Sequence, residues 1–289
     1  MSRIAYVNGR YLSLAEARVG VEDRSFQFSD GVYEVAAVMN NRLLDGAAHL
    51  ARLGRSLRAM AMAAPMGDAA LGLVARRLVA ANRARDALLY VQVSRGEAKR
   101  DHAVPAGVRP TLVMTVRPFD FGARRRAVEG GMAVATMADQ RWARPDIKSV
   151  SLLPNVLAKE AARTAGAGEA WLVGHDGLVT EGGSTNAWIV DAQGVLRTRA
   201  ADGAILAGVM RATLMRVAGE IGTAVEERAF TVAQALGARE AFLTSTTNPC
   251  VPVVRIDGAA VADGVPGPVS RQLSEALWGE IARQTGWVG

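Results

Sequence analysis

The side chains best suited to covalent chemistry in this sequence are its lysines, because there are so few. Lysine occurs only at Lys99, Lys148 and Lys159 among 289 residues. Any task that needs a reactive amine therefore falls to one of these three. Lys148 follows a carboxylate in Asp146-Ile147-Lys148-Ser149, in a predicted loop shortly before a helix. An exposed loop lysine is ordinary by itself, so this segment alone does not identify an active site.

A second candidate segment is Thr180-Glu181-Gly182-Gly183-Ser184-Thr185-Asn186. It places a glutamate at the predicted end of a strand and follows it with glycines, hydroxyls and an amide. Glycine permits close approach between backbone and ligand, and the polar side chains supply hydrogen bonds. The segment is typical of a polar ligand site.

Two further elements suit a phosphate group. Gly208 directly precedes a helix predicted to begin at Val209 and Met210, where free N–H groups and the helix dipole favour an anion. Thr244-Ser245-Thr246-Thr247 ends a predicted strand with four hydroxyl side chains. Each element alone also fits an ordinary cap or turn. Together with a lysine they indicate a phosphate-bearing aldehyde held as a Schiff base.

The first part of the chain is predicted to supply a sheet and two helices. Asn8-Gly9 favours the tight turn of a hairpin. Arg117 to Gly122 then interrupts the pattern with proline and glycine, and we place a domain boundary there, giving domains 1–118 and 119–289. Hydrophobic spacing and β-branched content predict strands at Ile4–Val7, Arg10–Leu12, Tyr33–Met39, Leu88–Ser94 and Thr111–Val116, and helices at His49–Ala63 and Ala69–Arg85.

The second part is predicted to contain hairpins between helices. Two consecutive hairpins are expected around the turns at His175-Asp176-Gly177 and Asp191 to Gly194. They indicate an antiparallel sheet or partial barrel, so the fold class is α+β with two domains. The remaining predictions are a strand at Met132–Thr136, strands near Val225, Ala241 and Pro252, and helices at Pro154–Ala165, Val209–Ile221 and Pro268–Arg283.

Composition excludes several classes of protein. With 50% hydrophobic and 21% charged residues, the chain matches an ordinary globular protein. No apolar run reaches the ~18 residues of a membrane span, and the start of the chain lacks a signal-peptide pattern, so we expect a cytoplasmic protein. A single cysteine, Cys250, excludes an internal disulfide and a multi-cysteine metal site. We expect a packed thiol there and no metal.

The basic residues are almost all arginine, since three lysines among 34 Lys and Arg leave 34 − 3 = 31 arginines. The net charge of +6 and a pI near 10.1 leave an arginine-rich nucleic-acid-binding protein as a remote alternative. The arginines are scattered, however, and the run Arg124-Arg125-Arg126 has no interleaved aromatic residues. This pattern favours a solvated surface.

The order of these motifs resembles the fold-type IV pyridoxal phosphate enzymes, which include D-amino acid aminotransferases, branched-chain aminotransferases and aminodeoxychorismate lyases. The resemblance extends over nearly the whole chain. It implies a homodimer with a smaller α/β N-terminal domain and a C-terminal pseudo-barrel domain carrying the lysine. The motifs that carry it are Asp30 to Val35, His49 to Leu53, Asp146 to Ser149, Asn155 to Lys159, Thr180 to Gly182 with Asn186, and Thr244 to Thr247.

The resemblance also implies residue roles. Lys148 would form the Schiff base with pyridoxal 5'-phosphate, and Glu181 would pair with the pyridine nitrogen. The phosphate would be bound by Arg52, the backbone at Val209 and Met210, and the hydroxyls of Ser245 and Thr246. Met210 is a departure, because the family often has a threonine there.

The stretch Tyr90 to His102 resembles the D-amino acid aminotransferases within the family. By that resemblance Arg100 and His102, with Tyr33, bind the substrate α-carboxylate. Ala37 stands where branched-chain enzymes carry an arginine. The implied activity is amino transfer between D-amino acids such as D-alanine and the 2-oxo acids pyruvate or 2-oxoglutarate. Aminodeoxychorismate lyase, (R)-amine transaminase and branched-chain transaminase remain the alternatives.

Overall fold

The computed structural model describes residues 3–289, and in that part the helices and strands alternate along the chain. The helices are α1 Arg24–Phe28, α2 Gly46–Ala59, α3 Asp68–Asn82, α4 Phe121–Ala127, α5 Leu153–Thr164, α6 Val209–Glu220, α7 Val232–Leu236 and α8 Pro268–Thr285. The strands are β1 Ile4–Val7, β2 Arg10–Ser13, β3 Gly31–Met39, β4 Arg42–Leu43, β5 Ala87–Ser94, β6 Thr111–Pro118, β7 Met132–Ala138, β8 Glu169–Val173, β9 Val179–Gly182, β10 Asn186–Val190, β11 Leu196–Thr198, β12 Val225–Glu227, β13 Glu240–Thr244, β14 Val251–Ile256 and β15 Ala259–Ala260.

The chain divides into two compact units. Unit 1 contains the residues up to Asp120 together with Ile147–Ser151 and Gln284–Val288, and unit 2 contains the remainder. The sequence placed the division two residues earlier, between residues 118 and 119. It also placed Lys148 in the C-terminal domain, whereas the structure groups this lysine with unit 1.

Unit 1 is built on an antiparallel sheet with the strand order β2-β1-β6-β5-β3-β4. Asn8 and Gly9 have φ angles of 44° and 93°, so the Asn-Gly turn joins β1 and β2 as predicted. Successive residues of β3 face opposite sides of the sheet, because side chains alternate along a strand. Helices α2 and α3 cover the side that carries Val32 and Val38, and they share one hydrophobic core with it.

The segment Ile147–Ser151 joins unit 1 through backbone hydrogen bonds to β3. Tyr33 N donates to the carbonyl of Lys148 at 2.9 Å, and Val150 N donates to Gly31 O at 3.0 Å. Ile147 is buried in the same core as Val32. These bonds extend the sheet along the β3 edge, and they explain why a lysine distant in sequence belongs to this unit.

Unit 2 contains a mixed sheet with the order β12-β11-β10-β13-β14-β7-β8-β9, and β15 pairs with β14. Strands β14, β7 and β8 run parallel, whereas β10, β13 and β14 are antiparallel neighbours. The sheet curls into a half-barrel, so the predicted partial barrel is confirmed. Trp171 and Trp188 are fully buried in this unit.

The helix limits show where local sequence signals were insufficient. Pro65 predicts the end of α2, but the helix ends at Ala59 because Ala61 adopts a left-handed backbone with φ 49°. The short helices α1, α4 and α7 were not predicted, since five to seven residues give too little periodicity. None of the helices in residues 3–289 combines the length and apolar character needed to cross a membrane.

Candidate active site

Lys148 lies against the ring of Tyr33 in unit 1. Its Nζ is 4.4 Å from the centre of the ring and 3.4 Å from the hydroxyl. The backbone N–H of Lys148 donates to Ser56 Oγ on α2 at 3.3 Å. Asp146, the neighbouring carboxylate in the sequence, pairs instead with Arg144. The amine is therefore positioned by an aromatic ring and by the backbone pairing with β3.

Arg52 is held by the buried carboxylate of Glu34, which follows Tyr33 on β3. Glu34 accepts hydrogen bonds from Arg52 Nε at 2.7 Å and from Nη2 at 2.8 Å. His49 Nδ1 lies 2.8 Å from the second oxygen of Glu34. All three side chains are buried. This bidentate geometry fixes the plane of the guanidinium, which a single contact would not do.

The charge of Glu34 is stabilised by these partners. Burial would raise the pKa of Glu34, but the hydrogen bonds from Arg52 and His49 lower it to about 2. From the sequence, His49 is predicted only to begin a helix, and Glu34 is not among the predicted site residues. Arg52 follows His49 by three residues on α2, so the two side chains can face one partner. The spacing alone does not show that this partner is Glu34 on β3.

Arg100 and His102 lie beside the aromatic ring of Phe28 in unit 1. The Arg100 guanidinium is 5.1 Å from the ring centre, and the His102 ring is 5.3 Å away. Buried Arg24 holds this loop, because its Nη1 donates to the carbonyl of Asp101 at 2.7 Å. Their contact with the substrate carboxylate stays a prediction.

Tyr33 belongs to a polar row on the sheet face opposite Glu34. It stacks on Tyr90 with the ring centres 5.8 Å apart, and Tyr90 donates to Gln92 Oε1 at 2.6 Å. Gln92 in turn donates to Ser25 Oγ at 3.1 Å. Burial, with a smaller effect of Tyr33, raises the pKa of Tyr90 to about 12, so this phenol stays protonated at neutral pH.

Glu181 in unit 2 has a carboxylate that is fixed at both oxygens. Oε1 accepts hydrogen bonds from Arg141 Nη1 and from the backbone N–H of Leu206, the latter at 3.0 Å. Oε2 accepts from Asn186 Nδ2 at 3.0 Å. Glu181 is buried. Donors at both oxygens hold this buried carboxylate in one orientation.

Arg141 is in turn held by Asp139. The pair is bidentate, with 2.9 Å from Arg141 Nε to Oδ1 and 2.7 Å from Nη2 to Oδ2. Thr180 Oγ1 donates to the same carboxylate at 2.8 Å. Burial would lower the pKa of Arg141, but Asp139 and Glu181 raise it above its usual value. Neither Arg141 nor Asp139 was predicted from the sequence, because both stand in a loop without a motif.

The start of α6 lies beside Asn186. A Cβ on Gly208 would approach Asn186 Oδ1 to 2.0 Å, so only glycine allows this close approach. Val209 and Met210 are buried in the first turn, where backbone N–H groups have no acceptor within the helix. These N–H groups suit an anion.

The end of β13 lies at the same end of the unit 2 sheet. Thr244 is the direct cross-strand partner of Asn186. Ser245 and Thr246 follow it in a tight turn, closed by a hydrogen bond from Ser245 N to Asn248 O at 2.7 Å. Unit 2 therefore brings Glu181, the α6 start and these hydroxyls to one end of its sheet.

These residues fit pyridoxal phosphate by their donor chemistry. The fixed carboxylate of Glu181 suits a protonated ring nitrogen, and the buried α6 start with its glycine suits the phosphate. The backbone N–H of Met210 does not depend on its side chain, so the departure from threonine leaves this donor in place. Cys250 is buried, and burial raises the pKa of its thiol. Among residues 3–289 no cluster of three or more His, Cys, Asp or Glu could hold a metal ion.

Comparison with known proteins identifies the family. The model of "Amino-transferase class IV" matches residues 31–256 of this chain. The chain belongs to the class IV aminotransferases. It is 39% identical to D-alanine aminotransferase of Bacillus licheniformis over 278 residues, which is 96% of this chain and 97% of that protein. Class IV aminotransferases use pyridoxal phosphate to move an amino group between an amino acid and a 2-oxo acid.

Solved structures of more distant members share the fold of this aminotransferase. Branched-chain amino acid aminotransferase of Escherichia coli superposes with a TM-score of 0.90 at 22% identity, over 100% of this chain and 97% of that one. The branched-chain aminotransferase of the archaeon Thermoproteus uzoniensis, solved with norvaline, has a TM-score of 0.88 at 24% identity, over 100% and 99% of the two chains. At these identities the likeness concerns the fold alone, and it confirms the predicted fold class.

Replacing the buried carboxylate of Glu34 tests its part in stability. A pKa of about 2, against an ordinary 4.5, corresponds to about 3 kcal/mol of folding free energy. This contribution is present above pH 4.5 and is lost as the pH falls towards 2. We expect Glu34→Gln to lower the free energy of unfolding in urea by about 3 kcal/mol at pH 7, because Arg52 then stays buried without its partner.

The control for this variant is Glu160→Gln on α5, whose carboxylate is exposed and pairs with Arg163. It should leave the unfolding curve unchanged. The difference between wild type and Glu34→Gln should shrink as the pH falls through 4.5. A difference that stays constant between pH 7 and pH 3 would contradict the assignment.

Asp139→Asn tests whether this carboxylate shields Glu181 from the charge of Arg141. Without it the guanidinium acts undiminished on Glu181. By the resemblance that places Glu181 at the pyridine nitrogen of the cofactor, we then expect the proton on that nitrogen to be held less strongly. We expect kcat to fall about ten- to a hundredfold, as for loss of a charge-assisted hydrogen bond. The pH at which the visible absorption of the bound cofactor changes should move to lower values. Asp176→Asn, in an exposed turn, is the control and should change neither quantity.

Proposed function

We propose that this chain transfers the amino group of D-amino acids such as D-alanine to 2-oxo acids such as pyruvate or 2-oxoglutarate. The observation that carries the proposal is the 39% identity to a D-alanine aminotransferase over 96% of the chain. The loop with Arg100 and His102, tied down by Arg24, supports it as a candidate carboxylate site. Ala37 at the position of the branched-chain arginine supports the same choice.

The proposed roles of the site residues follow from their chemistry. Lys148 would hold the cofactor through Nζ, and its amine would move the proton at the substrate Cα. The ring of Tyr33 lies beside this amine, with its centre 4.4 Å from Nζ. When bound, pyridoxal phosphate supplies the electron sink for the carbanion formed at Cα. Glu181 holds the proton at the ring nitrogen.

The residues that the resemblance assigns to the phosphate are Arg52, Val209, Met210, Ser245 and Thr246. Arg52 donates from Nε and Nη2 to Glu34, and this pair fixes the orientation of its guanidinium. The N–H groups of Val209 and Met210 supply fixed donors from the backbone, and Ser245 and Thr246 supply hydroxyls. The D-amino acid leaves as one 2-oxo acid, and the enzyme returns to its first state only after a second 2-oxo acid has reacted. Such an exchange gives ping-pong kinetics.

We also propose that the protein is a homodimer. The exposed side of α5 carries Leu153, Val156 and Leu157, which are 68%, 59% and 55% exposed. Contiguous exposed apolar residues mark interaction surfaces. Light scattering after gel filtration should give twice the chain mass of 30.5 kDa.

A cytoplasmic location stays a prediction.

Lys148→Ala should abolish transamination while the fold stays intact, because this amine is both the covalent anchor and the base. Borohydride reduction of the wild type followed by peptide mapping should locate the cofactor on Lys148. Lys159 is an alternative attachment site for the cofactor, because it is one of three lysines. Its amine pairs with Glu169. Cofactor attached to Lys159 would contradict the assignment.

A substrate panel in wild type and Arg100→Ala tests the proposed function itself. We expect D-alanine with 2-oxoglutarate to react and L-amino acids to react much more slowly. Arg100→Ala should reduce the use of D-alanine about ten- to a hundredfold, as for loss of a charge-assisted pair. An (R)-amine without a carboxylate should be affected little.

The same panel separates the alternatives. Preference for L-valine or L-leucine over D-alanine would favour a branched-chain enzyme. Preference for the amine would favour an (R)-amine transaminase, and conversion of aminodeoxychorismate without a 2-oxo acid would favour a lyase. Retention of the cofactor by Arg100→Ala shows whether the change concerns the substrate rather than the phosphate.

A further inference from the structure

Unit 1 contains a cavity of about 630 Å³ that the proposed chemistry does not use. It lies between α2, α3 and the side of the sheet that these helices cover. This volume is within the range of about 300–1,000 Å³ typical of small-molecule sites.

The space exists because small residues line it on both helices and on β3. A Cβ at Gly72 would lie 3.3 Å from Arg76 Nη1, so a larger side chain there would shift the end of this arginine. The small residues that line the cavity are Ala36, Gly46, Ala47, Ala69, Gly72 and Ala75.

The inner wall of the cavity is mostly apolar. Leu53, Leu71, Leu89 and Met114 line it and are almost completely buried. Glu34 also lines it, but its carboxylate is already neutralised by Arg52 and His49. This wall therefore suits the apolar body of a ligand and has no unpaired charge that would demand a cation.

The mouth of the cavity is positively charged. Arg42 on β4 and Arg76 on α3 are both exposed there, and in residues 3–289 neither guanidinium has an ion-pair partner. Asp68 is the one acidic residue at the mouth. Two guanidinium groups against one carboxylate leave a net positive charge, and guanidinium groups recognise carboxylates well.

We propose that this cavity binds an organic carboxylate with an apolar body, which enters the cavity while the carboxylate stays at Arg42 and Arg76. The site is separate from the catalytic lysine. Tyr33 lies on the opposite face of the sheet from Glu34, and neither it nor Lys148 lines the cavity. The proposal does not depend on the substrate of the enzyme.

Calorimetric titration of the holoenzyme with decanoate tests the proposal. We expect saturable binding of one decanoate per chain and no binding of decyltrimethylammonium, which has the same chain and the opposite charge. Each methylene removed from the ligand should weaken binding by up to about fourfold, because it leaves apolar wall exposed. Absence of saturable decanoate binding would overturn the proposal.

Variants locate the bound decanoate. Ala75→Phe fills the cavity and should reduce affinity at least tenfold. The double variant Arg42→Ala/Arg76→Ala should weaken binding about three- to tenfold, since each exposed pair contributes little. Arg77→Ala is the matched control, because Arg77 is the next residue on α3 and lies over the ring of Tyr11. It should bind decanoate as the wild type does.

Arg100→Ala separates this site from the substrate site, because decanoate is itself a carboxylate. Binding that is lost in Arg100→Ala but survives Ala75→Phe would place decanoate at the substrate site and overturn the proposal. The surface double variant leaves the core intact, so it decides the question even if Ala75→Phe does not fold. The titration measures binding alone, so a failure of the proposed amino transfer would leave its outcome unaffected.

Discussion

The alternation of side chains along β3 is the constraint on which unit 1 depends. Tyr33 points to one face of the sheet and reaches Lys148, while Glu34 points to the other face and holds Arg52. Because the side-chain period of a strand is two residues, a shift of one residue would exchange these two roles. The pairing of β3 with β5 along eight residues, from Gly31 to Val38, fixes this register.

Each unit contains a buried arginine whose charge is paired with carboxylates. A buried guanidinium costs several kcal/mol unless its charge is paired and its donors are used. Glu34 does this for Arg52, and Asp139 with Glu181 does it for Arg141. Glu34 and Asp139 each bind two nitrogens of their guanidinium, so pairing and orientation come from one contact. A lysine, with one nitrogen, would not be oriented in this way.

The sequence by itself determined the local features of this protein. The scarcity of lysine singled out Lys148, the Asn-Gly turn defined the first hairpin, and the order of motifs indicated the family and its cofactor. Such signals are contained in a few adjacent residues, so no partner is needed to read them. Most strands and long helices followed from hydrophobic spacing in the same way.

Only the tertiary structure decided which groups control those residues. Asp139 and Arg141 stand in no motif, and the motif that contains Glu34 gave this residue no role. Contacts with side chains 18, 41 and 40 positions away in the sequence involve Glu34, Asp139 and Arg141 respectively. The grouping of Lys148 with unit 1 depends on hydrogen bonds to a strand more than a hundred residues earlier, from Tyr33 N to Lys148 O. The cavity beneath α2 and α3 likewise follows from small residues of separate elements meeting. Pairing, burial and packing depend on what lies opposite a residue, and that is set by the folded chain.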